Sequence, residues 1–193
     1  MTTMSRRCIT ALTLLTICLL GTNPLEAMQS KQGENLAPFV PTPQRVVDHM
    51  LALAEITEND IVYDLGCGDG RIVITAAKNF GARGVGIDFD PKRIAESRAN
   101  AKKAKVEHLV SFKLGDAMAA DVSEASVVTL YLLSSSNRAL RPMLTKQLKP
   151  GARIVSHAFS MGDWEADRIE NFIDTNGTTR TIYLWKTDGK VRP

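Results

Sequence analysis

One short stretch of the chain combines carboxylates with three glycines at alternate positions. Residues 64–70 read DLGCGDG, and they follow an apolar run that begins at Ile61. An apolar run, a tight turn and then apolar residues at helical spacing predict a buried strand, a loop and the start of a helix. Glycine lets the backbone take a positive φ and lets a ligand approach without meeting a Cβ. The helix start adds free N–H groups. We therefore predict a cofactor loop over these residues.

The spacing of the glycines separates the cofactors that use such a loop. A dinucleotide fingerprint needs a small residue at its sixth position, and counting from Gly66 places Arg71 there. A phosphate-binding P-loop needs a Lys followed by Ser or Thr, and neither follows these glycines. Asp64 puts a carboxylate at the predicted strand end, where it repels a pyrophosphate and attracts an ammonium group. The pattern indicates a cofactor that carries positive charge.

Two further carboxylates follow later predicted strands. Asp88 lies 22 residues after Gly66 and ends the second strand, where an acidic side chain accepts hydrogen bonds from ribose hydroxyls. Asp116 ends the third strand, so a ligand lying across the strand ends brings its adenine there. Each aspartate alone is as readily a helix cap or a turn residue. The three together beside one glycine loop predict an adenosine with a cationic tail and no phosphates, S-adenosylmethionine.

Strand and helix patterns alternate along the chain on both sides of the loop. The predicted strands cover residues 61–65, 84–88, 109–114, 127–132, 153–157 and 180–186, with a mixed segment at 168–173. Helices are predicted near residues 43–54, 70–80, 91–105 and 134–148, with Thr42, Asp90 and one of Ser134, Ser135 or Ser136 as N-caps. Short helices between strands predict an α/β single domain with a doubly wound, mostly parallel seven-strand sheet and helices on both faces. The last two segments, joined by a turn, should add an antiparallel C-terminal edge.

The N-terminus resembles a targeting segment. Residues 1–27 contain the Arg6-Arg7 pair and then an apolar stretch that is short for a membrane span, which predicts a signal peptide or an N-terminal anchor. The alternative is that translation starts at Met28 and yields a cytoplasmic protein. A real leader predicts an exported or membrane-associated, periplasmic protein. Residues 28–40 are predicted as a flexible lead-in, 41–187 as the domain and 188–193 as a tail.

Composition excludes some classes of partner. The formal net charge is +3, and the basic residues are dispersed, so we expect no nucleic-acid partner. After removal of a leader a single cysteine, Cys67, remains, which excludes an intramolecular disulfide. No set of histidine, cysteine and carboxylate shows the spacing of metal ligands, so no metal is expected.

The motifs together resemble the class I, seven-strand S-adenosylmethionine-dependent methyltransferases. The resemblance covers residues 40–187 and rests on DLGCGDG at 64–70, GID at 86–88, GDA at 115–117 and LKPG at 148–151. It implies that Gly66 and Gly68, beside Asp64, approach the methionine part of the cofactor. It also implies that Asp88 binds the ribose and Asp116 the adenine amino group.

A narrower likeness concerns the acceptor. The segments VPTP at 40–43, YDLG at 63–66, GDGRIV at 68–73 and VTLYLL at 128–133 look like a small group of methyltransferases. That group includes protein-lysine methyltransferases that act on the c-subunit of ATP synthase and on the adenine nucleotide translocase. The resemblance implies a protein-lysine substrate, including a membrane protein. The group often has a proline after the strand-four leucines, and here Ser134 stands instead.

The acceptor side of the site is less well defined by the sequence. Tyr131 ends the fourth strand and is the candidate catalytic residue, although an ordinary rim aromatic fits as well. His157 is a candidate base or a structural histidine, and Trp164 a candidate acceptor wall or a packed loop aromatic. Three functions stay open: a protein-lysine methyltransferase, a small-molecule methyltransferase and a non-catalytic S-adenosylmethionine-binding protein. We expect a monomer, and an acceptor face without an inserted cap favours a large substrate.

Overall fold

The computed structural model describes residues 39–193 of the chain. The leader predicted for residues 1–27, and the lead-in up to residue 38, lie outside this described part. In the described part no helix has the length and apolar character needed to cross a bilayer.

Seven strands form one sheet with helices on both faces, as predicted. In chain order the elements are α1 (Gln44–Leu53), β1 (Ile61–Leu65), α2 (Arg71–Phe80), β2 (Arg83–Asp88), α3 (Pro91–Ala104), β3 (Val110–Leu114), β4 (Val127–Leu130), α4 (Ser134–Gln147), β5 (Arg153–His157), β6 (Arg168–Ile173) and β7 (Thr179–Lys186). A 3₁₀ turn, Ala117–Ala119, follows β3.

The strand order is β3-β2-β1-β4-β5-β7-β6. Strands β1 to β5 pair in parallel, and β7 pairs antiparallel with both β5 and β6. The predicted antiparallel C-terminal edge is confirmed. Within it, β7 lies between β5 and β6, and β6 forms the edge of the sheet. The order reverses direction between β1 and β4, which is where parallel α/β sheets bind ligands beyond their carboxyl ends.

Side chains along the central strands point alternately to the two faces of the sheet, so the core has two layers. Val62, Val127 and Val155 point into the layer covered by α1, α2 and α3. Their chain neighbours Tyr63 and Val128, with others from β5 and β7, point into the layer that contains the apolar face of α4. Because every central strand is covered on both faces, it reads as a nearly continuous apolar run.

A buried ion pair anchors the start of β1. Asp60 accepts hydrogen bonds from Ser126 Oγ at 2.7 Å and from the Thr57 N–H at 2.8 Å, and it pairs with Arg153 of β5. Burial opposes ionisation of Asp60, but these hydrogen bonds and the Arg153 charge outweigh it and lower its pKa. The pair therefore ties together three neighbouring strands at the end of the sheet opposite the glycine loop.

Two of the predicted helix caps are wrong. Leu133, not a serine, is the N-cap of α4, because the helix already begins at Ser134. Pro43 takes the N-cap position of α1 in place of Thr42, whose side chain makes no cap bond there. The predicted cap of α3 is confirmed, since Asp90 Oδ1 accepts from the Lys92 N–H at 2.7 Å.

Candidate active site

A cavity lies at the carboxyl ends of β1, β2 and β4. Its volume is about 240 Å³, and four of the predicted cofactor residues line it, together with the candidate catalytic Tyr131. The four are Asp64, Gly66, Gly68 and Asp88.

The glycine loop takes the backbone conformation that its sequence predicts. Gly66, Gly68 and Gly70 have φ values of +80°, +53° and +80°, which is the region that other residues avoid. The N–H groups of Gly66 and Cys67 both donate to the carbonyl oxygen of Ile87, at 2.8 and 3.0 Å. The loop is therefore fastened to the end of β2 and presents bare backbone to the cavity.

Asp88 joins the loop to the second strand. Its Oδ2 accepts from the Gly68 N–H at 2.8 Å, and its Oδ1 accepts from the Asp90 N–H at 3.0 Å. Each carboxylate oxygen can accept a second hydrogen bond. The side chain is thus fixed in orientation while it retains acceptor capacity toward the cavity.

Asp64 is a carboxylate without a cationic partner. It is 3% exposed, its Oδ1 accepts from Thr129 Oγ1 at 2.8 Å, and no salt bridge to it occurs within residues 39–193. Burial raises its pKa to about 7, and the nearby charges of Asp88 and Asp69 add to the increase. A cation in the cavity would satisfy this carboxyl, so the site fits a positively charged ligand.

Asp69 and Arg71 explain why the loop is not a phosphate site. Asp69 accepts from the Arg71 backbone N–H at 3.3 Å and forms a salt bridge with its guanidinium at 2.5 Å. The start of α2 is therefore occupied by a carboxylate of the chain itself. The Arg71 hydrogen bonds and charge hold the pKa of Asp69 below its ordinary value despite its partial burial.

Asp116 differs from the other predicted residues. It is absent from the cavity lining, which contains its neighbours Gly115 and Ala117. Its Oδ1 accepts from the Met118 N–H at 2.8 Å and caps the 3₁₀ turn. The structure places Asp116 at the predicted end of the cavity, with its side chain engaged in that cap.

The sequence prediction missed the residues that cover the glycine loop. Residues 39–42, here called the N-terminal wall, line the cavity from outside the sheet. The Phe39 ring lies against Gly68 so closely that a Cβ on that glycine would stand 2.4 Å from it. Arg93 lies 4.4 Å above the same ring, and Arg71 Nη1 donates to the Thr42 carbonyl oxygen at 2.8 Å. These contacts join segments far apart in the chain, so no local pattern indicates them.

On the acceptor side, Tyr131 packs against the end of β5. Its ring centroid lies 4.1 Å from that of His157 and 6.2 Å from that of Phe159. His157 is fully buried, neither ring nitrogen has a partner in the described part of the chain, and burial, with the charge of Arg180, lowers its pKa to about 4. It is therefore neutral near pH 7. Trp164 packs against Trp185 and lies outside the cavity lining.

The cavity lies where the strand order reverses, its glycine loop is unsuited to phosphate, and carboxylates stand at the ends of the strands beside it. These features define a class I S-adenosylmethionine-dependent methyltransferase. The ANTKMT methyltransferase domain matches residues 64–168 of the chain. The chain therefore belongs to the ANTKMT methyltransferase family, and its cofactor is S-adenosylmethionine.

Relatives support this assignment over most of the chain. A protein-lysine N-methyltransferase of Saccharolobus islandicus is 46% identical over 149 residues, which are 77% of this chain and 92% of that protein. The lysine N-methyltransferase of the ATP synthase C-subunit from Xenopus laevis is 31% identical over 68% of this chain. The match spans only 58% of that longer enzyme.

A solved structure shares both the fold and the sequence. It is described as an RNA methyltransferase from Salinibacter ruber in complex with S-adenosyl-L-homocysteine. It is 54% identical, covers 79% of this chain and 97% of its own, and superposes with a TM-score of 0.74. The names of these similar proteins thus differ in the acceptor, which is protein in one and RNA in the other.

Proposed function

We propose that this chain transfers the methyl group of S-adenosylmethionine to the side-chain nitrogen of a lysine in a protein. The observation that carries the proposal is the charge of the cavity, whose lining contains four aspartates and two arginines. An acidic lining attracts the ammonium group of lysine and repels the phosphates of a nucleic acid. The identity to the lysine methyltransferase of Saccharolobus islandicus supports the same acceptor.

We infer the cofactor contacts from the positions of the lining residues. Gly66 and Gly68 offer backbone to the methionine part, and Asp64 faces its cationic groups. Asp88 accepts from the ribose hydroxyls with the lone pairs that the loop leaves free. Asp116 receives the adenine amino group on its Oδ2, because its Oδ1 caps the 3₁₀ turn.

When bound, the cofactor would supply a methyl group on a sulfonium, whose sulfur would leave readily as a neutral thioether in an in-line displacement. The chain then has to align the acceptor nitrogen and exclude water. Tyr131 and Leu132 line the cavity at the end of β4. We assign Tyr131 the role of a catalytic residue that contacts and orients the amine. Only the neutral amine can attack the methyl group, so the ammonium that the site binds has to release its proton to solvent before transfer.

The second candidate acceptor is RNA, which the description of the Salinibacter ruber structure favours. Phosphate binding requires lysines and arginines that neutralise the backbone. Around this cavity Arg71 is paired with Asp69, and Arg93 lies near Asp90 and Glu96. Because carboxylates already neutralise both guanidinium groups, we favour the protein acceptor.

Labelled methyl transfer separates these acceptors. The full chain is incubated with methyl-labelled cofactor and a cell extract, and the product is divided between protease and ribonuclease digestion. We expect the label to be released by protease and to appear as methyllysine after hydrolysis. Label that is released by ribonuclease, or found in small molecules, would refute the lysine acceptor. If neither protein, RNA nor small molecules carry the label, the result would support a non-catalytic binding protein.

Matched variants identify the tyrosine that acts. Tyr131→Phe removes only the hydroxyl at the cavity, and Tyr183→Phe makes the same change on β7, where Tyr183 stacks on Trp185. We expect kcat to fall by about tenfold in the first and to stay unchanged in the second, since one positioned hydrogen bond contributes about that much. Equal activity of both variants would remove Tyr131 from the mechanism.

We also propose that residues 1–27 direct export, on the basis of their sequence alone. Sequencing the N-terminus of the protein from cells tests this. A mature chain that begins after residue 27 in the periplasmic fraction supports export, whereas a cytosolic chain that begins at Met28 refutes it.

A further inference from the structure

The chain after β5 makes a strained turn beside Tyr131. In residues 156–159, here called the β5 turn, Ala158 has φ +65° although it is not a glycine. The Phe159 N–H donates back to the His157 carbonyl oxygen at 2.8 Å, and the Ala158 N–H donates to the Thr181 carbonyl oxygen at 2.8 Å. A residue in this region of φ persists only where its surroundings hold it, and such residues concentrate at functional sites.

Buried polar groups of α4 and β5 hold the turn. Asn137 is fully buried, and its Nδ2 donates to Ser156 Oγ and to the Phe159 carbonyl oxygen, both at 3.0 Å. Ser156 Oγ in turn donates to the same carbonyl oxygen at 2.7 Å. Phe159 therefore receives two hydrogen bonds on one oxygen, which fix its backbone. Asn137 Oδ1 has no partner in the described residues, so Asn137 takes part in this network through its N–H groups alone.

The turn places a second aromatic ring beside the cavity residue Tyr131, although Phe159 itself does not line the cavity. Tyr131 lines the cavity, and it is flanked by His157 at 4.1 Å and Phe159 at 6.2 Å between centroids. The Tyr131 and Phe159 planes are inclined by 30°, so the two rings stack against each other. His157 is buried and contacts the Tyr131 ring, and its lowered pKa means that it adds no positive charge near pH 7.

We propose that the rings of Tyr131 and Phe159 form the acceptor subsite, which binds the alkylammonium group of the substrate lysine, and that Asn137 is the positioning residue for Phe159. The proposal rests on the proposed function and adds the residues that recognise the acceptor. An aromatic face attracts a cation through its quadrupole. Methylation of the nitrogen preserves its charge and adds apolar surface, so the same subsite holds lysine and its methylated forms.

The test uses a cation and its neutral isostere as probes. Choline and 3,3-dimethylbutanol have the same shape and differ in charge, and their binding to the full chain with S-adenosyl-L-homocysteine is measured by NMR titration. We expect the wild type to bind choline about tenfold more tightly than the alcohol, and Phe159→Leu to abolish most of that preference. Phe172→Leu is the control, because Phe172 stacks on His49 at β6, away from the cavity.

Asn137→Asp tests the positioning role, since it keeps the size of the side chain and removes both N–H donors. We expect it to lose the choline preference as Phe159→Leu does, with unchanged affinity for S-adenosyl-L-homocysteine as the measure of an intact fold. In methyl transfer both variants should raise the KM of the acceptor more than they lower kcat. A wild-type choline preference in Phe159→Leu would overturn the proposal, and in Asn137→Asp it would overturn the positioning role.

The two proposals fail in distinguishable ways. If the wild type prefers choline but methylates no lysine, the lysine acceptor is wrong and the cation subsite stands. If the wild type methylates lysine and Phe159→Leu leaves both the KM and the choline preference unchanged, the subsite is wrong and the lysine acceptor stands.

Discussion

Asp64→Asn should stabilise the protein without cofactor and weaken cofactor binding at the same time. The substitution keeps the acceptor oxygen for Thr129 Oγ1 and removes a buried negative charge that has no cationic partner within residues 39–193. At Asp64 the fold therefore tolerates an unfavourable charge that only a bound cation compensates.

The pKa of Asp64 sets the size of the effect. Its value of about 7 in place of 3.8 corresponds to about 4 kcal/mol of cost for the ionised form above pH 7. Because the folded-state pKa is raised, the cost is absent below the unfolded pKa, grows as the pH rises from the unfolded to the folded pKa, and is complete above it. Relaxation around the charge reduces it, so we expect Asp64→Asn to raise the free energy of unfolding at pH 8 by about 1–3 kcal/mol.

Denaturant unfolding of the full chain without cofactor, at pH 8 and pH 5, measures this difference. The increase in the free energy of unfolding caused by Asp64→Asn should be smaller by about half or more at pH 5, where the folded wild type has taken up the proton. Asp69→Asn is the matched control, because it removes the same charge from the loop. Its pKa is lowered by Arg71, so its replacement should destabilise the fold at pH 8.

Cofactor binding by the wild type should strengthen as the pH rises, whereas its stability without cofactor should fall. Binding of a cation requires ionised Asp64, so wild-type affinity should weaken by about tenfold for each pH unit below 7. Asp64→Asn should bind weakly at every pH and lose that slope, as measured by calorimetry. A variant that is less stable than wild type at pH 8, or a stability difference that is the same at pH 5, would refute this account of Asp64.

Four further substitutions probe the loop and the sheet. Asp88→Ala should weaken cofactor binding by about 10–100-fold in calorimetry, since it removes a charged acceptor, whereas Asp116→Ala should cost less than about tenfold because its side chain caps a turn. Gly68→Ala should lower cofactor affinity, and it should lower the free energy of unfolding by about 1–2 kcal/mol in denaturant unfolding. In a Phe39→Ala background, the loss due to the clash with the Phe39 ring should disappear, whereas the loss due to the positive φ should remain. Arg153→Met should cost about 3 kcal/mol of unfolding free energy, because it leaves the buried carboxylate at the start of β1 unpaired. An unchanged value in any of these measurements would contradict the corresponding contact.

The parts of the site that the sequence predicted depend on local order along the chain. Residues 64–70 specify a strand end, a turn and a helix start within one short stretch, so glycine spacing was enough to define the loop. Asp88 was predictable for the same reason, because parallel strands bring their carboxyl ends to one edge. Pattern and topology together therefore identified the cofactor.

The remaining parts depend on contacts between distant segments. Phe39 reaches Gly68 and Arg71 reaches Thr42 only after the helices have packed, and neither pair has a spacing signature. The serines at the start of α4 failed as caps because the helix begins one residue earlier than their chemistry suggests. Phe159 reads as an ordinary apolar residue until Asn137, 22 positions earlier, is seen to hold its carbonyl oxygen.

The N-terminal wall also has a kinetic consequence. Its four residues precede α1 and belong to none of the helices or strands, yet they line the cavity together with the glycine loop. We therefore expect exchange of spent for fresh cofactor to displace this short segment and to leave the sheet closed. We expect the Phe39–Arg93 contact and the Arg71 hydrogen bond to Thr42 to set how long the cofactor stays bound. Residence time can then vary with this segment while the shape of the catalytic pocket stays constant.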